Sequence, residues 1–137
     1  MTLFRSALAA ATLVVFTGSS AIAHSNHEDT IAGPQLENLM RTMLEGVEGT
    51  EIIVSRVTIP PNSSLPKHWH PGEEFAYVLE GSVTLWQEGK EDIVGTAGTV
   101  LKVPLKQVHT AITSEEGGTV LVFRVHEKGQ PERVPVE

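Results

Sequence analysis

The chain has 137 residues, ten Lys+Arg against seventeen Asp+Glu, a net charge of -7, six histidines and no cysteine. That length suits one folded domain, and the missing cysteines exclude a disulfide scaffold, a Cys-ligated zinc site, an iron–sulfur cluster and thiol catalysis. The acidic balance argues against nucleic acid as a partner, because phosphate binding needs a clustered basic surface.

Residues 1–23 read as an export signal. Arg5 is followed by an apolar run from Ala7 to Phe16, then by Thr17-Gly18-Ser19-Ser20 and the small-x-small triplet Ala21-Ile22-Ala23. Signal peptidase reads that pattern, which predicts cleavage after Ala23 and a periplasmic or extracellular mature chain. The run is too short to span a bilayer, which takes ~20 apolar residues, so no membrane association is expected after cleavage. Residues 24–35 then form a polar, flexible N-terminal segment. His24 and His27 lie in it; an N-terminal histidine can chelate copper, but a polar segment with no apolar anchor more commonly frays.

Leu36, Leu39, Met40, Met43 and Leu44 fit the spacing of an amphipathic helix. Gly46-Val47-Glu48-Gly49 leads directly into the β-branched run Thr50–Ile59, a strand, and that junction favours a hairpin with an extended first arm. Pro60-Pro61-Asn62-Ser63-Ser64-Leu65-Pro66 is a loop, because two successive prolines cannot continue a ladder. Beyond it, Phe75–Glu80, Ser82–Gln87, Gly98–Val103, His109–Ser114 and Thr119–His126 are short strand-like runs. Gly81, Glu88-Gly89-Lys90, Pro104 and Glu115-Glu116-Gly117-Gly118 punctuate them, which predicts a sandwich or small barrel. The tail from Lys128 to Glu137 is expected to be loose or pinned along the surface.

His68 and His70 lie two apart, so on a strand both imidazoles point to one side. Pro71-Gly72 permits a sharp change of direction, after which the Glu74 carboxylate can return toward that side. Imidazole nitrogens with one carboxylate suit a divalent first-row metal. His109 opens a later strand and can complete the set. Trp69, between the two histidines, faces away, against the sheet or a partner subunit.

An HxH pair alone is weak evidence. The wider pattern is specific: Asn62 to Gly81 reads NSSLPKHWHPGEEFAYVLEG and Gly98 to Thr113 reads GTVLKVPLKQVHTAIT. The two stretches resemble the two motifs of the cupin superfamily. His68, His70, Glu74 and Gly81 fall on the first motif, and Gly98, Pro104 and His109 on the second. Asn62 and Lys106 stand where the family usually has glycine, and Thr113 stands for its final asparagine.

The resemblance implies an all-β fold, a single-domain jelly-roll barrel over residues 36–127 with a tail at 128–137. Under it Leu36–Glu45 is extended. It also implies a site for one divalent transition metal (Fe, Mn, Ni, Zn or Cu) held by His68, His70, Glu74 and His109. Three neutral imidazoles and one carboxylate sum to −1, so a divalent ion leaves the centre at +1, attractive to an oxygen-donor substrate. The expected function is that of an exported metal-dependent enzyme, dioxygenase-like, acting on a small enolic, phenolic or carboxylate compound. A non-catalytic module that binds a metal or small ligand is the alternative, and a vestigial site the third. Small cupins pair across an edge sheet, which implies a homodimer. Arg124 and His126 alternate with Phe123 and Val125 on the last strand. Solvent is their expected environment; turned inward, Arg124 would bind a substrate carboxylate. Arg56 carries the same ambiguity, and Tyr77 and Trp86 are read as packing residues.

Overall fold

The computed structural model describes residues 33–137; the expected export signal and cleavage point, His24 and His27 lie outside the described residues. Eight strands follow one another: β1 (Gln35–Met43), β2 (Thr50–Ile59), β3 (His68–Trp69), β4 (Glu73–Gln87), β5 (Ile93–Thr96), β6 (Val100–Val103), β7 (His109–Glu127) and β8 (Val134–Pro135). All pairings are antiparallel.

The segment with helical spacing is extended: Gln35–Met43 pairs with β2 from Gln35↔Thr58 to Met43↔Glu51. Ladder pairing with a long β-branched neighbour overrides the local periodicity, as the hairpin junction at Gly46–Gly49 suggests.

Two long strands organise the rest. Phe75–Glu80 and Ser82–Gln87 are parts of β4, and His109–Ser114 and Thr119–His126 are parts of β7; Gly81 and Gly117-Gly118 mark irregularities where the ladder shifts register rather than chain ends. Gly81 takes φ +70, and a Cβ there would lie 2.2 Å from the Gly117 carbonyl oxygen, so glycine is the residue that lets the two bends pass. β7 bonds along its second half to β2, along most of its length to β4, and at His109 to β3. β4 also pairs with β5 and β6. The result is a sheet curled on itself. β5 had no separate signal in the sequence; its Val94 is exposed, as suits a short edge strand.

The inward face carries Val57, Ile59, Ala76, Val78, Val83, Leu85, Leu101, Val103, Val120 and Val122 as one apolar cluster. Glu74, Ala76 and Val78 point in, while Tyr77 and Leu79 point out, the period-2 alternation expected of β4.

The departures from the motif glycines leave the backbone course intact. Asn62 (φ 51) and Lys106 (φ 56) are the two non-glycine residues with positive φ among the described residues. Both adopt the left-handed conformation that glycine would take there. Asn tolerates it; Lys does so with strain. Thr113 replaces the motif asparagine with its hydroxyl: Oγ1 donates toward the Pro60 carbonyl (2.6 Å) and accepts from the Ser63 amide (3.2 Å), tying the Pro60–Ser63 loop to β7.

Candidate metal centre

β3, the start of β4 and the start of β7 converge at one end of the cavity. His68 stands directly across from His109 in the β3–β7 ladder. Pro71-Gly72 turns the chain so that Glu74 enters β4 on the same side as the histidines. A Cβ on Gly72 would meet the Val125 carbonyl oxygen at 2.1 Å, so the turn packs directly on the β7 backbone.

The sequence-derived residues are brought together. The ring nitrogens of His68, His70 and His109 lie within 4.8 Å of one another, and all three rings are buried. Glu74 sits beside them, its Oε2 2.9 Å from His70 Nε2 and its Oε1 3.6 Å from His109 Nε2.

Each imidazole is anchored through Nδ1 to a backbone carbonyl: His68 to Pro66 (2.7 Å), His70 to Glu132 (2.6 Å) and His109 to Gln107 (2.9 Å). A carbonyl accepts only, so each Nδ1 carries the hydrogen and each Nε2 lone pair is released toward the centre. Carbonyls that accept from the far ring nitrogen fix the tautomer of metal-binding histidines in this way. His70 Nε2 is buried and has no hydrogen-bond partner, yet it faces the Glu74 carboxylate at 2.9 Å. Two electron-pair donors at that distance repel unless a positive charge lies between them. A proton answers this for one pair; a divalent ion answers it for all the converging nitrogens, so the residues fit a metal.

The charges support the same reading. Burial would raise the Glu74 carboxyl, but the His109 and His70 rings facing it and the charge of Arg124 hold it well below the usual carboxylate range. Burial pushes His68 down to about 4, against the opposing pull of its bond to Pro66. His68 is therefore a neutral imidazole at neutral pH, the form that donates to a metal.

Arg124 and His126 are not solvent-facing, which corrects the sequence expectation. Arg124 is 3% exposed and His126 1% exposed. The alternation along β7 was legible, but its sense is opposite: Val120, Val122, Arg124 and His126 face in, and Phe123 is exposed. Each inward base has a cross-strand acid. Arg124 pairs with Glu74 on β4, its Nε donating to Oε2 at 2.9 Å. His126 lies opposite Glu51 on β2, with Nδ1 3.4 Å from Glu51 Oε1. Glu51 in turn accepts two bonds from Arg41 (3.0 and 2.7 Å). Arg56 remains at the surface in a bond to Glu37.

Sequence reasoning also missed Glu132. Its carbonyl holds His70, and its carboxylate accepts from Arg124 Nη1 at 2.5 Å. The tail it belongs to is pinned: Val134 and Pro135 pair with Trp69 and His68. No short-range signal marks a residue that supports a ring 62 residues away in the chain.

The four residues open onto a cavity of about 450 Å³ with apolar walls from Val57, Val83, Leu85, Leu101, Val120 and Val122. Arg124 and Glu132 line it beside the histidines. The volume suits a small organic molecule.

Residues 55–125 match the model of the cupin domain family. Among solved structures, the chain is similar to the DMSP lyase DddQ from Ruegeria pomeroyi DSS-3, with TM-score 0.65 and 20% identity over 90% of this chain and 59% of that one. It is also similar to a cupin-like protein from Thermotoga maritima, with TM-score 0.61 and 21% identity over 75% of each chain. KdgF from Halomonas sp. matches with TM-score 0.59 and 19% identity over 74% of this chain and 87% of that one. At these identities the likeness establishes the fold, and the chain spans well under two thirds of the DMSP lyase. No curated protein matches the chain.

Proposed function

The chain belongs to the cupin domain family, and on that premise we propose that it is a metal-dependent enzyme acting on a small enolic, phenolic or carboxylate compound, with dioxygenase-like chemistry. His68, His70, His109 and Glu74 hold one divalent transition metal in this reading. The observation that carries it is the convergence of three Nδ1-anchored imidazoles on an apolar-walled cavity, with an orphaned buried Nε2 among them.

A divalent ion held by His68, His70, His109 and Glu74 would supply Lewis-acid polarisation of an oxygen donor. The chain's own residues do the rest. The carbonyls of Pro66, Glu132 and Gln107 hold the hydrogen of each neutral ring on Nδ1 and aim the three Nε2 atoms inward. Arg124 keeps the Glu74 carboxylate ionised within the protein interior. The valine and leucine walls exclude water from the substrate's apolar body, which strengthens every charge interaction at the head of the cavity.

Export and dimerisation belong to the same proposal. The signal-like residues 1–23 support secretion, and an N-terminus at His24 in the mature protein is the mass-spectrometric check. β1 exposes Leu36, Leu39, Met40 and Met43, an apolar edge strand of the kind that pairs with a second copy; sedimentation velocity measures that state.

Elemental analysis of gently purified protein tests the central claim. About one equivalent of a transition metal is expected, lost in His70→Ala, with His70-dependent oxygen uptake on a panel of enols, phenols and carboxylates. Absence of stoichiometric metal together with an unaltered His70→Ala protein overturns the reading.

A further inference from the structure

We infer that Glu132 is a positioning residue of the metal centre, which makes the C-terminal segment a working part of the site. The inference rests on the metal reading above.

Two independent routes run from this one residue. Through its backbone carbonyl, Glu132 accepts the Nδ1 hydrogen of His70 at 2.6 Å. Through its carboxylate it accepts from Arg124 Nη1 at 2.5 Å, and Arg124 Nε donates to Glu74 Oε2 at 2.9 Å. One residue thereby touches the supports of both a nitrogen and an oxygen donor.

The three imidazoles are not supported alike. His68 and His109 each take a carbonyl two residues upstream, at Pro66 and Gln107. Those anchors come with the segment that leads into the strand carrying the ring. His70 takes its anchor 62 residues away, so its tautomer and ring orientation depend on the tail being in place. The tail is held on both sides of Glu132. The Pro131 carbonyl accepts from His126 Nε2 at 3.0 Å, Val134 and Pro135 pair with β3, and the Val136 amide donates to the Lys67 carbonyl at 3.1 Å.

The carboxylate route is electrostatic. Arg124 is a buried cation shared by two carboxylates. With Glu132 neutralised, its charge falls on Glu74 alone, and a carboxylate bound more tightly to a guanidinium is a poorer metal donor.

Titration of Co²⁺ into the metal-free full chain is the test, read by calorimetry and by the d–d absorption of bound Co²⁺. Glu132→Gln keeps the backbone carbonyl and removes the charge. Its Co²⁺ affinity is expected to fall about tenfold, the ordinary effect of losing an outer-shell partner, with a shifted d–d spectrum. A chain ending at Gln130 is expected to lose more, since the His70 anchor goes as well. Wild-type Co²⁺ affinity and spectrum in Glu132→Gln overturn the inference, whether or not the shortened chain folds. A purely structural Glu132 gives that outcome with only a lower melting temperature of the metal-free protein. If the full wild-type chain takes up no Co²⁺, the metal reading itself fails, and this inference with it.

Discussion

Arg124 and Glu74 face each other directly across the β4–β7 ladder, and the guanidinium Nε donates to the carboxylate at 2.9 Å inside the protein. The pair ties the last third of the chain to the candidate metal centre. Arg124→Met in the metal-free protein leaves the Glu74 charge buried beside the imidazoles without its cation. A loss of ~3–5 kcal/mol of stability is expected from breaking a buried pair on one side, read from urea unfolding midpoints. A change below ~1 kcal/mol would show that the pair is not holding the fold.

Acid should weaken the metal-free protein through His68. Burial lowers its folded value from 6.5 to about 4, so between those values the unfolded chain binds a proton that the folded chain does not. Stability therefore rises with pH across that window and falls as pH drops through it. At ~1.4 kcal/mol per pKa unit, reduced for solvent screening, the loss from His68 between neutrality and pH 4 is ~2 kcal/mol. The depressed Glu74 carboxyl adds to it in the same direction below the ordinary carboxylate range. Urea midpoints at pH 7, 6, 5 and 4 measure the slope, and His68→Gln should flatten it above pH 5.

Gly72 has no room for a side chain. A Cβ there would sit 2.1 Å from the Val125 carbonyl oxygen and 2.9 Å from His126 Cα, and the β7 backbone cannot yield as a side chain can. Gly72→Ala is expected to cost ~3 kcal/mol or more. It should also lower transition-metal affinity, because the turn delivers Glu74. Thermal unfolding and metal titration of the one variant read both effects; wild-type values in both would refute the close packing.

Lys106 offers the opposite case. Its φ of 56 places an L side chain in the left-handed region, at a cost of ~1–2 kcal/mol that glycine avoids. Its amide still bonds the His70 carbonyl at 3.1 Å, a contact that glycine preserves. Lys106→Gly should raise stability by ~1 kcal/mol after the entropy of the more flexible unfolded chain is subtracted. A lower melting temperature would contradict the strain argument.

The candidate site was legible because its chemistry is written in short spacings. His68 and His70 two apart share a strand face, a Pro-Gly turn lets Glu74 return toward it, and the resemblance of the two motifs to the cupin pattern joined His109 to the set. The structure sets all four side by side. The paired motifs also implied the barrel, and with it an extended Leu36–Glu45 against its own helical spacing; the observed strand is Gln35–Met43.

What the sequence determined by itself was therefore local: residue types, their parity along each strand, and the positions, Asn62 and Lys106 among them, where the motif usually has glycine. Tertiary structure decided everything that depends on a second strand. Parity fixed that Arg124 and His126 share a face, but both faces of β7 carry apolar residues. Only the pairing of β7 with β2 and β4 selects the inward one and brings Glu74 and Glu51 across to balance the buried charges. Glu132 is the extreme instance. Its partners His70 and Arg124 meet it only after the barrel has closed and the tail has paired with β3, because a hydrogen bond over 62 residues leaves no periodicity in the chain to read.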